Sequence, residues 1–176
     1  MADVAVRAAR PADVPEIARI QVETWRTAYR RFLPESVLAA LDGGEAESAW
    51  AAAVARPPSP AHRVLVATEA GAVVGFAAVG PSEEEDAEPG EAAVAALLVE
   101  PRWGRRGHGS RLLAAAVEHL RADAVTRLVA WVPDGDQASA RFYESASWER
   151  DGTVRILEAD GGAVREVRWH VALEDA

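Results

Sequence analysis

The stretch that most restricts the fold is VEPRWGRRGHGSRLL, Val99 to Leu113. An apolar run, EAAVAALLVE, leads into it. After it, SRLLAAAVEHLRA places Leu112, Ala116 and Leu120 in one row, with Leu113 and Val117 beside it. The first segment is strand-like, and the second has the periodicity of an amphipathic helix. TRLVAWV, strand-like again, comes next. Strand, helix and strand in this order share a sheet through a parallel crossover. A glycine- and arginine-rich loop therefore sits where a strand hands over to a helix.

The flanking segments complete the order. VAVRAA (Val4 to Ala9) alternates as a short strand, and Val14, Ile17, Ile20 and Trp25 mark a helix after it. Asp13 is its expected N-cap, with Glu16 as capping-box partner. PESVLAALD predicts a second helix, started by Pro34 and ended by Gly43-Gly44; EAESAWAAAVA predicts a third. HRVLVATEA, AVVGFAAVG and EAAVAALLVE read as three strands, the first reversal at Gly71 and an acidic loop, PSEEEDAEPG, before the third. QASARFYESA is a helix, and TVRILEADGGAVREVRWHVAL a hairpin turning at Asp160-Gly161-Gly162. The expected fold class is α/β (α+β): a mixed central sheet of about seven strands flanked by about four or five helices. The 176 residues fit a single domain, expected over 4–173.

Composition removes several kinds of chemistry. Without cysteine there is no disulfide, thiolate zinc site or cysteine acyl intermediate. His62, His108, His119 and His170 form no pair at metal-ligand spacing, so no metal is expected. The net charge is −9 and all 19 basic residues are arginine. That acidic balance disfavours nucleic acid, because phosphate neutralisation needs broad basic coverage. No signal-like N-terminal region and no apolar run of about 18 residues is present. No membrane partner is expected, and the expected location is cytoplasmic.

A helix N-terminus offers about four unpaired N–H groups and roughly half a positive charge, a suitable seat for phosphate. Gly107 and Gly109 keep side chains from holding a phosphate off the backbone, and both permit positive φ. Arg105 and Arg106 add guanidinium forks. A pyrophosphate suits this loop; a strand-to-helix turn that binds nothing is the alternative. A Walker-type loop needs a lysine that the chain lacks, and the dinucleotide fingerprint needs a third glycine where Leu112 stands.

The segment resembles the acetyl-CoA signature of the GNAT superfamily of N-acetyltransferases, V-x-P-x-x-[QR]-x-x-G-x-[GA]. Val99, Pro101, Gly107 and Gly109 match, and Gly104 occupies the usual Gln/Arg position. DQASARFYESASW resembles the later motif N-x-x-A-x-x-F-Y-E-x-x-G-F. Phe142, Tyr143 and Glu144 match; Asp136, Ser139, Ser147 and Trp148 replace Asn, Ala, Gly and Phe. The opening VRAARPADVPEIARIQVETWRTAYRRFLPE resembles many bacterial members, so the likeness covers nearly the whole chain. It implies the GNAT fold, acetyl-CoA (coenzyme A) as cosubstrate, and acetyl transfer to a primary amine by direct attack. The partner implied is a small-molecule or peptide amine.

The resemblance also distributes roles. Backbone N–H groups around Leu97, Leu98 and Val99 serve the acetyl oxygen. Gly104, Arg105, Arg106, Gly107, His108, Gly109 and Ser110 hold the pyrophosphate, His108 through its backbone with its ring outward. Asp136 falls where the family contacts the pantetheine arm. Tyr143 takes the acid position; a packing aromatic is its other reading. The family's common acidic position falls on Ala93, and Glu91, two residues earlier on the same face, is the candidate base. Asp134 and Asp136 are reserves, and an exposed carboxylate is the plainer reading of Glu91. Trp25 and Tyr29, i,i+4 neighbours on the first helix, and Trp131 are candidate acceptor-binding residues that core packing would also explain. EEED (Glu83 to Asp86) is expected to be a solvated loop. Homodimers are common in lookalikes, and these motifs leave the acceptor open. The departures at Ala93, Gly104 and Asp136 support a second reading, a catalytically inactive CoA-binding regulatory or partner-binding module.

Overall fold

Seven strands form one sheet in the computed structural model, which describes residues 3–159 and 161–173. The strands are β1 (Val4–Ala8), β2 (Arg63–Glu69), β3 (Ala72–Pro81), β4 (Glu91–Val99), β5 (Arg127–Pro133), β6 (Glu149–Ala159) and β7 (Gly162–Ala172). Five helices accompany them: α1 (Val14–Thr27), α2 (Glu35–Ala39), α3 (Gly43–Ala55), α4 (His108–Ala122) and α5 (Gln137–Ser145). Spatial order is β1-β2-β3-β4-β5-β7-β6. Only the β4–β5 pair is parallel, with α4 as its crossover, as the order of periodicities requires. No helix among the described residues is long and apolar enough to cross a membrane.

The central strands are apolar on both faces because each face carries a helix layer. On one face Ile17 and Ile20 of α1 pack with Val66, Phe76 and Leu98, and Trp50 of α3 meets Phe76 edge-on at 5.0 Å. On the other, Leu112, Leu113, Ala116 and Leu120 of α4 cover Leu65, Ala67, Val74 and Ala92. Burying each large side chain contributes about 1.5–3 kcal/mol.

One irregularity shapes the rest. Val79 pairs with Val94 and Ala78 with Ala96, which leaves Ala95 as an extra residue in β4. Before this bulge Ala92 and Val94 face the α4 layer; after it Leu97 and Val99 do, while Leu98 turns to α1.

Three local expectations needed correction. Gly43 and Gly44 begin α3 rather than end α2, because the Asp42 carboxylate caps them, accepting from Gly44 N at 2.7 Å. Asp13 occupies the N-cap of α1 without making a capping bond. Its carboxylate turns back to Arg10 N at 2.7 Å and to the Arg7 guanidinium at 2.7 and 2.9 Å, and Glu16 pairs with Arg19 instead. α4 starts two residues before Ser110, at His108. The β6–β7 turn carries Gly161 at φ +86°; Asp160 lies outside the described residues.

Candidate functional site

β4 and β5 share three rungs, Glu91 with Arg127, Ala92 with Leu128 and Ala93 with Val129, and then part. Two parallel strands that separate beside a bulge leave a wedge between them, and main-chain groups on the open edge of β4 lose their ladder partners there. The wedge is a cleft of about 810 Å³. Val94 through Val99 form one wall and Trp131, Val132 and Pro133 the other.

The glycine loop closes one side of this cleft. Gly104, Arg105, Gly107, His108, Gly109 and Ser110 all line it. Gly107, at φ +83°, is the N-cap of α4 and supplies no side-chain cap, so the first-turn N–H groups are left for a ligand. Arg105 adopts φ +63°, a strained conformation for a residue with a Cβ. Of the two glycines that permit a positive φ, Gly107 uses it and Gly109 does not. The requirement at Gly109 is space: a Cβ there would lie 3.2 Å from the Phe142 ring.

Two loop side chains depart from their expected roles. Arg106 points away from the cleft, its Nη1 2.7 Å from Glu69 Oε1 and its guanidinium 5.0 Å from the Trp103 ring. The His108 ring points inward, 1% exposed, with Nε2 2.7 Å from Glu69 Oε2. One carboxylate thus holds the residues on both sides of Gly107. Nothing local to Arg106 or His108 marks Glu69, 37 and 39 positions away, as their partner.

Tyr143 lines the cleft from α5 and is otherwise enclosed by Phe142, Trp148 and Trp169, at ring distances of 5.2, 4.8 and 6.3 Å. Burial pushes its phenol well above the ordinary tyrosine value, and Tyr29 and Asp136 push it the same way. Burial also raises Tyr29, against an opposing contribution from Ser139. Asp136 caps α5, accepting from Ser139 N at 3.1 Å and Ser139 Oγ at 2.6 Å. Its carboxylate is spent on the cap, and Ala138 and Ser139 line the cleft instead.

Trp25, Tyr29 and Trp131 all reach the cleft. Gln21, Trp50, Leu157, Val164 and Glu166 do so as well, although sequence reasoning singled out none of them. Trp50 carries a helix-face signal that reads as core, and the three β-hairpin residues reach the cleft only through the sheet order. Trp50 Nε1 donates to Gln21 Oε1 at 2.7 Å, which fixes both.

Glu91 is not brought to the cleft. Its side chain is fully buried at the start of the paired segment, two residues before the strands part, and Oε2 accepts from Arg127 Nη1 at 2.8 Å. Arg127 also reaches Asp151 at 3.1 Å. The expected base is therefore an ion-pair member, because its cross-strand partner is an arginine. The reserve Asp134 pairs with Arg165. EEED is not merely solvated: Glu84 Oε1 accepts from Trp131 Nε1 at 2.8 Å, and Asp86 receives both Nη groups of Arg168 at 2.8 Å. Among the described residues no group of three or more His, Cys, Asp or Glu could hold a metal ion.

Comparison with known proteins gives a consistent picture. The model of the Acetyltransferase (GNAT) family matches residues 17–148. An uncharacterized N-acetyltransferase, YuaI of Bacillus subtilis (strain 168), is 34% identical over 148 residues, covering 84% of this chain and 81% of that protein. The ribosomal-protein-alanine N-acetyltransferase of Brucella melitensis is similar in fold, with TM-score 0.76 at 24% identity over 96% of this chain and 99% of that one. The PaiA N-acetyltransferase of Thermoplasma acidophilum, solved in complex with coenzyme A, gives TM-score 0.75 at 14% identity over 97% and 99% of the two chains.

Proposed function

This chain belongs to the acetyltransferase (GNAT) family, and from that premise we propose that it transfers an acetyl group from acetyl-CoA to a primary amine by direct attack. The acceptor is a small molecule or peptide. The observation that carries this reading is the uncapped N-terminus of α4, turned by Gly107 onto a cleft whose other edge is the unpaired stretch of β4.

The residues fit the group. First-turn amides of α4 and the Arg105 guanidinium suit a pyrophosphate, since both are donors and the helix end is positive. Main-chain N–H groups of β4 near Leu97, Leu98 and Val99 suit an acyl oxygen that gains charge during reaction. Arg106, His108 and Asp136 act through the loop and the α5 cap rather than through side-chain contact.

Acetyl-CoA supplies an activated acyl carbonyl and a thiolate leaving group. The acceptor loses its ammonium proton to water and attacks as the free amine. A C–N bond forms as the C–S bond breaks. The Tyr143 hydroxyl, kept protonated by its burial, gives its proton to the departing sulfur and recovers one from the acylated nitrogen. Glu91, locked against Arg127, takes no part.

Calorimetry with acetyl-CoA, thiol release over an amine panel and mass spectrometry of the products test the reading. Gly107→Glu is expected to abolish acetyl-CoA binding while leaving the circular dichroism spectrum unchanged. Undiminished affinity in that variant would contradict the pyrophosphate placement.

A further inference from the structure

Charge is segregated across the cleft. Among the described residues that line it, Arg105 is the one arginine and Glu166 the one acidic side chain. They stand on opposite walls: Arg105 follows β4, whereas Glu166 is on β7, paired with Pro133 of β5.

The environment of Glu166 is built rather than incidental. Arg155, its cross-strand partner on β6, donates Nε–H to Glu166 Oε2 at 2.6 Å. The same guanidinium lies 4.3 Å from the centroid of the Trp131 ring, and Glu84 holds the edge of that ring. Glu166 Oε1 has no hydrogen-bond partner among the described residues and is not sealed in the protein interior. One oxygen is thus anchored and the other is free to accept from a ligand. The cleft that Glu166 lines is otherwise largely aromatic and aliphatic, with Trp131 and Leu157, and with Trp25, Tyr29 and Trp50 from the α1 and α3 side.

We propose that the cleft between Glu166 and these aromatic side chains is an acceptor subsite for a primary ammonium on an aromatic or aliphatic body, with no carboxylate beside the amine, and that Glu166 is its specificity-determining residue. The inference rests on the acetyl-CoA-dependent reading above and adds the class of acceptor. An ammonium has three donors and suits a carboxylate with one open oxygen. Aromatic faces attract the cation and bury the body attached to it. A second carboxylate on the acceptor would meet the anchored negative charge of Glu166 and be repelled.

The test compares phenethylamine, phenylalanine and ethylamine by thiol release at saturating acetyl-CoA. Phenethylamine and phenylalanine differ by the carboxylate alone, and phenethylamine and ethylamine by the aromatic body. The wild-type protein is expected to prefer phenethylamine at least tenfold in kcat/KM over each of the others. Glu166→Gln is expected to narrow the phenethylamine-to-phenylalanine ratio at least tenfold, through the amine KM, with the acetyl-CoA KM within twofold of wild type. Trp25→Ala is expected to narrow the phenethylamine-to-ethylamine ratio while sparing the other. A wild-type preference for phenylalanine, or equal use of all three amines, overturns the proposal whether or not the variants fold. So does an unchanged charge ratio in Glu166→Gln. Acetyl-CoA binding without acetylation of phenethylamine sinks the acceptor class and leaves the cosubstrate reading standing. Absence of acetyl-CoA binding sinks the cosubstrate reading itself, and this inference with it.

Discussion

Glu69, the last residue of β2, meets the buried ring of His108, the first residue of α4, at 2.7 Å. Its second oxygen takes Arg106, so a strand two places from β4 in the sheet sets the turn at Gly107. This carboxylate fixes the side chains on both sides of Gly107 and leaves the first-turn N–H groups of α4 uncapped.

Glu69→Ala is expected to loosen that turn. Leaving His108 without its partner removes a buried charge-assisted hydrogen bond, an effect of about 1–3 kcal/mol. The expected result is a KM for acetyl-CoA raised about tenfold, in line with about 1.4 kcal/mol. The KM for acetylpantetheine, which lacks the pyrophosphate, is expected to stay within about twofold. Steady-state kinetics with both thioesters checks this; equal losses for the two would mean that Glu69 supports the fold generally rather than the loop.

Glu91→Gln separates the ion pair from the chemistry. Because Glu91 sits two residues before the strands part and outside the cleft, turnover of folded protein is expected to remain near wild type. Arg127 keeps Asp151 as a partner, so the stability loss is expected to be about 1–3 kcal/mol. Urea unfolding and thiol release, measured on the same preparation, distinguish this from a general-base role, in which turnover would collapse.

Tyr143→Phe keeps the ring packing against Trp148 and Trp169 and removes the hydroxyl. A fall of about 10²–10⁴ in kcat with little change in KM is the expected signature of a lost general acid. The raised phenol pKa means that Tyr143 stays protonated, and competent as an acid, to higher pH than an ordinary tyrosine. The wild-type kcat is therefore expected to show no fall attributable to this group between pH 7 and 10. A pH–rate profile reads both points.

Acid sensitivity follows from the Arg7–Asp13 pair. The Arg7 guanidinium hydrogen-bonds the Asp13 carboxyl and holds it below its ordinary value, against a smaller opposing effect of burial. A carboxylate depressed in the folded state binds fewer protons there than when unfolded. Its contribution to stability is present above the unfolded value, near pH 3.9, and is lost as pH falls through the folded one. Asp13→Asn is expected to lower stability at neutral pH and to flatten its decline below about pH 4. Denaturant midpoints from pH 2 to 7 check the slope.

Much of the architecture is legible from local chemistry. The switch from a short apolar run to 3.6-residue periodicity around Val99 to Leu113 locates β4, the loop and α4, and with them the parallel crossover. The reversal at Gly71, with φ +82°, and the hairpin of β6 and β7 follow from turn residues. Gly43 and Gly44 misled because a glycine pair ends one helix or opens another, depending on the cap supplied by Asp42.

By itself, the sequence determined the elements, their order, the parallel join and the glycine that turns the amides of α4 outward. Those are properties of neighbouring residues, governed by periodicity and backbone freedom. Tertiary structure alone decided which side chains reach the cleft. Arg127, 36 positions from Glu91, withdraws that carboxylate into an ion pair, while the hairpin brings Glu166 to the wall beside Trp131. Glu69, 39 positions from His108, turns an expected surface ring inward. The physical reason is that a charged side chain goes where its opposite charge is, and that partner is chosen by strand register and sheet order rather than by proximity along the chain.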